Sequence, residues 1–306
     1  MTAQIDRLVL GQFIPMHYHF NMLNDTERMQ GFKAALEYVV RPGAKVLELG
    51  GGTGVLSFFA AQHAAHVYYV EQNPELVETA RRVLKQNPNG HKVEIVRADA
   101  SQYLPPEPVD VVVCEMLHVG LLREKQASMI HNFKKRYLEK FGGPLPAFVP
   151  DACFQAVQPV QHDFNYEGFY APTILFQEPT AMHEGTQGLS DPMAFQTFTY
   201  DDVIPQTCCW DGRIQIVADG QLNALRFITK NILAILLEQQ RTIDWFNQYL
   251  IVPLNEPMYV QAGDEIAVSF DYETGAEFDA LTRSLNVRHV TAEVNNTEAL
   301  KVHVAN

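Results

Sequence analysis

A glycine-rich turn directly after a buried-strand pattern constrains this chain more than any other feature. Residues 46–54 read Val-Leu-Glu-Leu-Gly-Gly-Gly-Thr-Gly, and a second strand-like run, 66–70, is followed by Glu71. Glycines let a backbone approach a ligand that a Cβ would block. An acid after the second strand can accept hydrogen bonds from both ribose hydroxyls. This order predicts the nucleotide-binding half of a doubly wound α/β fold.

The sequence of this turn favours S-adenosylmethionine over a dinucleotide. Glu48 lies inside the first strand, and residues 50–54 lack the third glycine of G-x-G-x-x-G. A pyrophosphate needs the N-terminus of the following helix to be open to it, whereas an amino-acid sulfonium does not. We therefore predict S-adenosylmethionine as cofactor and S-adenosylhomocysteine as product. A dinucleotide site and a purely structural turn are the alternatives.

The composition limits the class of partner. The chain has 306 residues, of which 47% are apolar and 19% are charged, and its net charge is −13. This charge argues against nonspecific nucleic-acid binding, which relies on basic surface. It is compatible with a small molecule or a basic peptide as substrate, and equally with solubility alone. No apolar run reaches the roughly 18 residues that span a bilayer, so no membrane partner is predicted.

Cysteine usage predicts a reduced, cytoplasmic protein without a metal site. The cysteines are Cys114, Cys153, Cys208 and Cys209. None shows the two-residue spacing of a zinc ligand pair, and an adjacent pair rarely closes a disulfide. Residues 1–7 lack the basic and apolar regions of a signal peptide. The histidines near the predicted site fall on different elements, which argues against a shared metal.

Helical and strand-like patterns alternate in the first half of the chain. The predicted elements are a helix over 24–39, strand 45–49, helix 53–62, strand 66–71, helix 75–86, strand 93–97, strand 109–114 and helix 123–139. Such alternation predicts a parallel sheet with right-handed crossovers. The ligand should lie at the carboxyl ends of its strands, where Gly50, Glu71, Asp99 and Glu115 fall.

Beyond Pro144–Pro150 the pattern changes to short strand-like runs, which predict an antiparallel barrel or sandwich. The runs are 153–160, 196–200, 213–218, 222–229, 265–272 and 285–290. Asp219-Gly220 between two of them predicts a β-hairpin. The aromatic-rich stretch 165–195 fits neither pattern. It is predicted to contact another subunit, with folding back on its own barrel as the alternative.

Two acids bracket the loop after strand 109–114. Glu115 and Glu124 lie nine residues apart in Cys-Glu-Met-Leu-His-Val-Gly-Leu-Leu-Arg-Glu. Such a pair can hold a cationic nitrogen, because carboxylates bonded to a guanidinium fix its plane. From spacing alone, the alternative is a strand-end acid plus an acid favoured by the dipole of the following helix.

Three segments resemble the protein arginine methyltransferase family. They are residues 19–28, His-Phe-Asn-Met-Leu-Asn-Asp-Thr-Glu-Arg, the glycine turn with its two acids, and the loop 115–124, which has the spacing of the family's double-E loop. The order of an N-terminal helix, a methyl-donor domain and a β-barrel after a proline also matches. The resemblance covers residues 13–160 and is faint afterwards.

The resemblance implies a set of cofactor-binding residues. They are Met22, Arg28, Glu48, Gly50, Gly52, Gly54, Glu71 and Asp99. Arg28 would bind the methionyl carboxylate, Met22 would line the cofactor and Glu71 would hold the ribose. Asp99 lies where many methyltransferases of this fold contact the adenine amino group, although the arginine-methylating pattern places that acid near Ser101.

On the acceptor side, the resemblance implies that Glu115 and Glu124 hold the acceptor nitrogen. His118 sits inside the same loop and is predicted to contact substrate, with a hydrogen-bonded surface histidine as the alternative. The family's Thr-His-Trp loop corresponds to Thr242-Ile243-Asp244-Trp245, so Asp244 stands in place of the histidine beside Trp245. The run 13–17, Phe-Ile-Pro-Met-His, lacks the acid and phenols of the family's N-terminal stretch. These departures predict a rebuilt acceptor pocket.

Together these features predict an S-adenosylmethionine-dependent N-methyltransferase acting on a guanidinium or other cationic nitrogen of a protein, peptide or small molecule. The alternatives are a methyltransferase of a small metabolite or biosynthetic peptide, and a catalytically weak cofactor-binding dimer. Three parts are predicted: a helical segment covering the cofactor at 1–44, the cofactor domain at 45–150, and a barrel for substrate and dimerisation at 151–306. A homodimer is expected because the family docks a barrel arm on its partner.

Overall fold

The computed structural model of the chain describes residue 14 and residues 16–290. The signal-peptide prediction at residues 1–7, part of the run 13–17 and the end of the third predicted part therefore lie outside the described residues. Two helices come first, α1 (Met16–Asn21) and α2 (Thr26–Val39). The Asp25 side chain accepts the Arg28 N–H at 2.9 Å, and this cap starts α2 two residues later than predicted.

A five-stranded parallel sheet with helices between its strands follows. Its elements are β1 (Lys45–Leu49), α3 (Val55–Ala61), β2 (His66–Glu71), α4 (Pro74–Leu84), β3 (Val93–Arg97), β4 (Val111–Cys114), α5 (Gln126–Phe141) and β5 (Ala147–Val149). The strand order is β3-β2-β1-β4-β5, and every neighbouring pair is parallel. The predicted doubly wound sheet is confirmed, with β5 as an unpredicted edge strand.

Both faces of this sheet are covered, because alternate residues of each strand point to opposite sides. Leu47 of β1 packs in a cluster with Phe133 of α5. Its neighbour Val46 packs in a separate cluster with Phe32 of α2 and Ala60 of α3. Burial on two sides explains why β1, β2 and β4 are mostly apolar, and it leaves the carboxyl ends of the strands as the accessible edge.

The second half consists of antiparallel strands, as predicted. They are β6 (Ala152–His162), β7 (Asn165–Tyr166), β8 (Phe169–Tyr170), β9 (Leu175–Gln177), β10 (Thr186–Gly188), β11 (Met193–Thr199), β12 (Thr207–Gln215), β13 (Gly220–Leu236), β14 (Arg241–Phe246), β15 (Tyr249–Val260), β16 (Glu265–Glu273) and, after helix α6 (Phe278–Ser284), β17 (Asn286–His289). A seven-stranded sheet is built on β6, β13 and β15, and β12-β16-β17 forms a smaller sheet. These two sheets together make up the barrel. Phe227 of β13 and Phe270 of β16 pack edge to face at 5.4 Å between the two sheets.

The β-hairpin predicted at Asp219-Gly220 is wrong. The strand before this turn, β12, pairs with β16, whereas β13 after it pairs with β15 and β6. The connecting residues bind another turn instead: the Ile216 N–H donates to Asp264 O, and the Ala262 N–H donates to Asp219 Oδ1, both at 2.8 Å. Long-range pairing outweighs the local turn signal, because each strand gains a full-length partner in a different sheet.

The stretch 165–195 is only partly an excursion. Strand β9 pairs with β15 and β10 pairs with β6, so these parts fold back on the barrel. The hairpin β7–β8 projects instead, and it exposes Tyr166, Phe169 and Tyr170 at 47%, 71% and 60%. The predicted subunit contact and the division at residues 45 and 151 stay predictions. Among the described residues, no helix is long and apolar enough to cross a membrane.

Candidate active site

A cavity of about 910 Å³ lies at the carboxyl ends of the parallel strands, between the N-terminal helices and the barrel. The predicted site residues that line it are Met22, Arg28, Glu48, Gly50, Gly52, Glu71, Asp99, Glu115, His118, Glu124 and Trp245. Gly54 and Asp244 are not among its lining residues. The structure thus brings residues from six separate segments of the chain to one volume.

The glycine turn folds tightly against the end of β2. The N–H groups of Gly50 and Gly51 both donate to Val70 O, at 3.0 and 2.9 Å. A Cβ on Gly51 would lie 2.1 Å from Cε2 of Tyr69, so only glycine fits there. Gly54 has a φ of +83° and precedes α3, where a Cβ would approach Leu84. Its contribution in this structure is to the backbone turn and to packing.

Glu71 is held with its carboxylate towards this turn. Oε2 accepts the Gly52 N–H at 3.2 Å, and Oε1 accepts the Asn73 N–H at 2.8 Å. The side chain is buried, and each oxygen retains a lone pair for a further donor. Two main-chain bonds therefore fix a carboxylate that can accept from a ligand in the cavity.

Glu48 forms part of the cavity floor. It accepts a hydrogen bond from the Ser57 hydroxyl, and only 2% of its surface is exposed. Burial raises the pKa of Glu48 to about 8, although the bond from Ser57 opposes this shift. A positive group in the cavity would favour its charged form.

Arg28 joins the N-terminal helices to the loop after β4. Its guanidinium forms an ion pair with Glu115, and its Cζ lies 5.7 Å from the ring centroid of Trp245. Asp25 Oδ2 accepts from the Trp245 indole N–H at 3.3 Å. Asp25 was not predicted as a site residue, although it lies in the segment 19–28 and occupies the N-cap of α2.

His19 is a second residue that sequence reasoning did not place at the site. It lines the cavity, and a Cβ on Gly52 would lie 3.3 Å from its Nδ1. Burial lowers the pKa of His19, and the nearby charge of Glu71 partly offsets this effect. The imidazole is therefore neutral near pH 7, and it extends from helix α1 to lie next to Gly52 of the glycine turn.

The barrel holds the middle of the loop 115–124. The Gly120 N–H donates to Thr229 Oγ1 and Gly120 O accepts from the Tyr272 hydroxyl, both at 2.8 Å. Asn247 Nδ2 donates to Leu117 O at 3.2 Å. These bonds keep a loop between two acids in one conformation.

Burial and nearby charges shift the pKa values of Glu115 and Glu124. Burial raises the pKa of Glu115, and the Arg28 guanidinium opposes that shift. Burial and the charge of Glu115 raise the pKa of Glu124 to about 8, against the opposing effects of Arg28 and Arg123. A cation placed between the carboxylates would relieve this repulsion and lower both pKa values.

The stability of the ligand-free protein should therefore depend on Glu124. In the folded state it keeps its proton up to about pH 8, whereas the ordinary value is 4.5. Because the unfolded chain binds fewer protons in this window, the free energy of unfolding falls as pH rises, by up to about 1.4 kcal/mol per pH unit for one group. We expect Glu124→Gln to reduce this fall. Calorimetric melting of the wild-type protein and of Glu124→Gln from about pH 5 to about pH 8 measures this fall. If their free energies of unfolding differ by the same amount at every pH, the raised pKa of Glu124 is contradicted.

Aromatic rings lie beside the loop 115–124 at the cavity. His118, Phe176 and Phe278 are mutual neighbours, with ring centroids 5.4–5.9 Å apart. Burial lowers the pKa of His118 to about 4, so the imidazole is neutral near pH 7. Asp244 Oδ2 bonds to Lys230 Nζ at 2.6 Å, away from the cavity lining. Of the two barrel residues predicted near substrate, Trp245 alone lines the cavity.

Comparisons with known proteins agree with this architecture. Residues 46–140 match the family model described as a methyltransferase domain. An uncharacterized protein of Methanothermobacter thermautotrophicus is 29% identical over 275 residues, which are 88% of this chain and 97% of that protein. The arginine N(omega)-methyltransferase of Streptomyces achromogenes subsp. streptozoticus is 34% identical over 135 residues. That match covers 42% of this chain and only 37% of the relative.

The structure is similar to the Trypanosoma brucei PRMT1 enzyme–prozyme heterotetrameric complex, solved with AdoHcy. The TM-score is 0.68 at 17% identity, over 83% of this chain and 86% of that one. A parallel sheet of this order, a glycine turn with a following acid and a matched methyltransferase domain define an S-adenosylmethionine-dependent methyltransferase. The chain is such an enzyme, similar to the protein arginine methyltransferases in its fold and in the sequence of its methyltransferase domain.

Proposed function

We propose that this protein transfers the methyl group of S-adenosylmethionine to a nitrogen of a guanidinium group. One observation carries the proposal: Glu115 and Glu124 are both largely buried and line the same cavity as the glycine turn, and the charge of Glu115 raises the pKa of Glu124. Two such carboxylates are suited to a planar cation with several N–H donors.

The residues present fit S-adenosylmethionine. The glycine turn leaves a surface free of side chains, and a Cβ on Gly50 or Gly52 would narrow it. Glu71 would accept from the ribose hydroxyls, Arg28 would pair with the methionyl carboxylate, and Met22 and Asp99 lie on the same cavity wall. When bound, the cofactor supplies an electrophilic methyl group on a sulfonium.

The chain's own contribution is alignment and charge. Glu115 and Glu124 would orient the guanidinium so that one nitrogen points along the line of displacement. Their negative charge would also stabilise the positive charge of the methylated product, and Glu124 or solvent would accept the released proton. Arg28 would act on both sides, since it already contacts Glu115.

The guanidinium can belong to an arginine of a protein or peptide, or to a small guanidino compound, and the small compound is the second acceptor class. It is supported by the changed barrel loop, because Asp244 pairs with Lys230 where the family has a histidine. Similarity to the arginine N(omega)-methyltransferase of Streptomyces achromogenes supports the same class. The neutral aromatic rings of His118 and Phe176 would contact the part of the acceptor next to its cation.

Methyl transfer from a labelled donor tests the proposal. The protein would be incubated with L-arginine, a glycine- and arginine-rich peptide, and a cell extract separated by size. We expect label on a guanidinium nitrogen, and the size of the labelled compound separates the two acceptor classes. Label found only on an amine or an oxygen would refute the guanidinium assignment, and cofactor binding with no labelled product would favour a catalytically weak binding protein.

We also expect the protein to form a homodimer through the β7–β8 hairpin. Its exposed aromatic side chains need a covering surface, and a second copy of the chain is the proposed one. Light scattering on the intact protein and on a variant with 165–170 replaced by a Gly/Ser linker measures this. Dimer loss in the variant is expected. A monomeric intact protein at micromolar concentration would contradict the prediction, and a dimeric variant would place the interface elsewhere.

A further inference from the structure

We propose that Gln126 is a positioning residue for methyl transfer, because its buried amide fixes the backbone of Glu115 at the end of β4. The inference rests on the proposed function, in which Glu115 and Glu124 hold the acceptor nitrogen. Gln126 does not line the cavity itself. It would act only through the carboxylate that it positions.

The amide of Gln126 bonds to the main chain on both sides of Glu115. The side chain is 1% exposed at the first residue of α5. Its Nε2 donates to Cys114 O at 2.6 Å, and its Oε1 accepts from the Met116 N–H at 2.9 Å. Those groups belong to the two peptide units that flank the α carbon of Glu115. One planar amide therefore sets the direction in which the Glu115 side chain leaves the backbone.

Glutamine is suited to this place because the site needs one donor and one acceptor. Strand β4 ends at Cys114, so the following peptide groups have left the sheet while remaining inside the protein. Buried main-chain groups require partners, and an amide supplies both kinds at once. An apolar residue of similar size would leave both peptide groups unpaired and free to rotate.

The same contact links the two acids. Gln126 lies two residues after Glu124, so its bonds join the end of the loop to its beginning. The barrel holds the middle of this loop at Gly120, through Thr229 and Tyr272. Because the charges of the two acids repel, their separation depends on these attachments. Gln126 is the attachment next to Glu115.

Two variants and a matched control test the inference. Gln126→Met keeps the approximate size and removes both hydrogen bonds, whereas Gln126→Glu can imitate glutamine only while protonated. Gln158→Met is the control. Gln158 is also buried, donates to Ser190 O at 2.6 Å and accepts from Arg226 Nε at 2.9 Å, but it lies on β6 away from the cavity.

Two readouts are needed, one of them independent of the acceptor. Carbon-13 carboxyl NMR on S-adenosylhomocysteine-bound protein follows the titration of Glu115 and Glu124, with signals assigned from Glu115→Gln and Glu124→Gln. Initial rates with L-arginine and with the glycine- and arginine-rich peptide follow turnover, and calorimetry follows cofactor affinity.

For Gln126→Met we expect a changed Glu115 titration, unchanged cofactor affinity and a turnover lower by about 10-fold to 100-fold, the range for a misplaced catalytic group. Gln126→Glu should add a fall in rate at high pH, where the ionised side chain can no longer donate to Cys114 O. Gln158→Met should lower thermal stability without changing the Glu115 titration or the rates.

An unchanged Glu115 titration with wild-type turnover in Gln126→Met would overturn the inference, and so would equal losses of turnover in Gln126→Met and Gln158→Met. If Glu115→Gln abolishes turnover while Gln126→Met keeps the wild-type rate, the proposed function stands and the role of Gln126 fails. If the wild-type protein methylates neither acceptor, the acceptor class is wrong. The Glu115 titration in Gln126→Met then decides by itself whether Gln126 positions Glu115. If Gln126→Met does not fold, the pH profile of the rate and the Glu115 titration in Gln126→Glu decide whether Gln126 positions Glu115.

Discussion

Replacing Glu115 or Glu124 with glutamine should lower turnover by at least about 100-fold, the scale expected when an acceptor is poorly aligned. Each substitution keeps the size of the side chain and removes the charge that holds a cationic nitrogen. Cofactor affinity should change far less, because the glycine turn and Glu71 are untouched. Single-turnover rates and calorimetric titration of S-adenosylhomocysteine separate the two effects.

Glu139→Gln is the matched control for this pair. Glu139 is an exposed acid on α5, outside the cavity, and its substitution should leave turnover unchanged. The pair would be structural if both glutamine variants kept wild-type turnover. A large loss of cofactor affinity in Glu115→Gln alone would mean that its ion pair with Arg28 mainly serves the cofactor.

Glu71→Ala should weaken cofactor binding by about 1–3 kcal/mol, which is the usual contribution of hydrogen bonds to a charged acceptor. This loss corresponds to an increase of roughly 5-fold to 150-fold in the dissociation constant. The loss is expected because Glu71 is fixed by the N–H groups of Gly52 and Asn73 and retains acceptor capacity towards the cavity. Calorimetry with S-adenosylmethionine measures it, and NAD should not compete.

Two further variants distinguish binding from folding. Glu78→Ala removes an exposed acid of the neighbouring helix α4 and should leave affinity unchanged. Glu71→Gln keeps the shape of the side chain and tests whether its charge is needed. Equal affinity of Glu71→Ala and the wild-type protein would remove Glu71 from the cofactor site.

Local patterns were sufficient for the central part of the sheet. The predicted strands 45–49, 66–71 and 93–97 have the bounds of β1, β2 and β3. β1 and β2 are apolar runs buried on both faces, and such runs depend little on distant residues, so they can be predicted directly from the sequence. Helix ends were less accurate, because they are set by individual caps. Asn73, for example, accepts the Glu75 N–H at 2.9 Å, so α4 begins at Pro74.

Strand pairing in the barrel could not be predicted in this way. The connection between β12 and β13 contains a bend at Ala218 and not the tight two-residue turn that Asp219-Gly220 predicts. Whether the two strands then pair with each other depends on partners more than twenty residues away, such as β16 and β15. A local signal favours a turn, and only the tertiary structure decides which edges meet.

Patterns within short segments were enough to predict the doubly wound sheet and the glycine turn with its acids, and the spacing of Glu115 and Glu124 is itself such a pattern. The tertiary structure decided which side chains face the cavity. Asp25 meets Trp245 across 220 residues of chain, and Asp244, adjacent to Trp245, turns instead to Lys230. It also decided the proton affinities of the two acids. Those depend on burial and on the distance between charges, and neither quantity can be read from residue order.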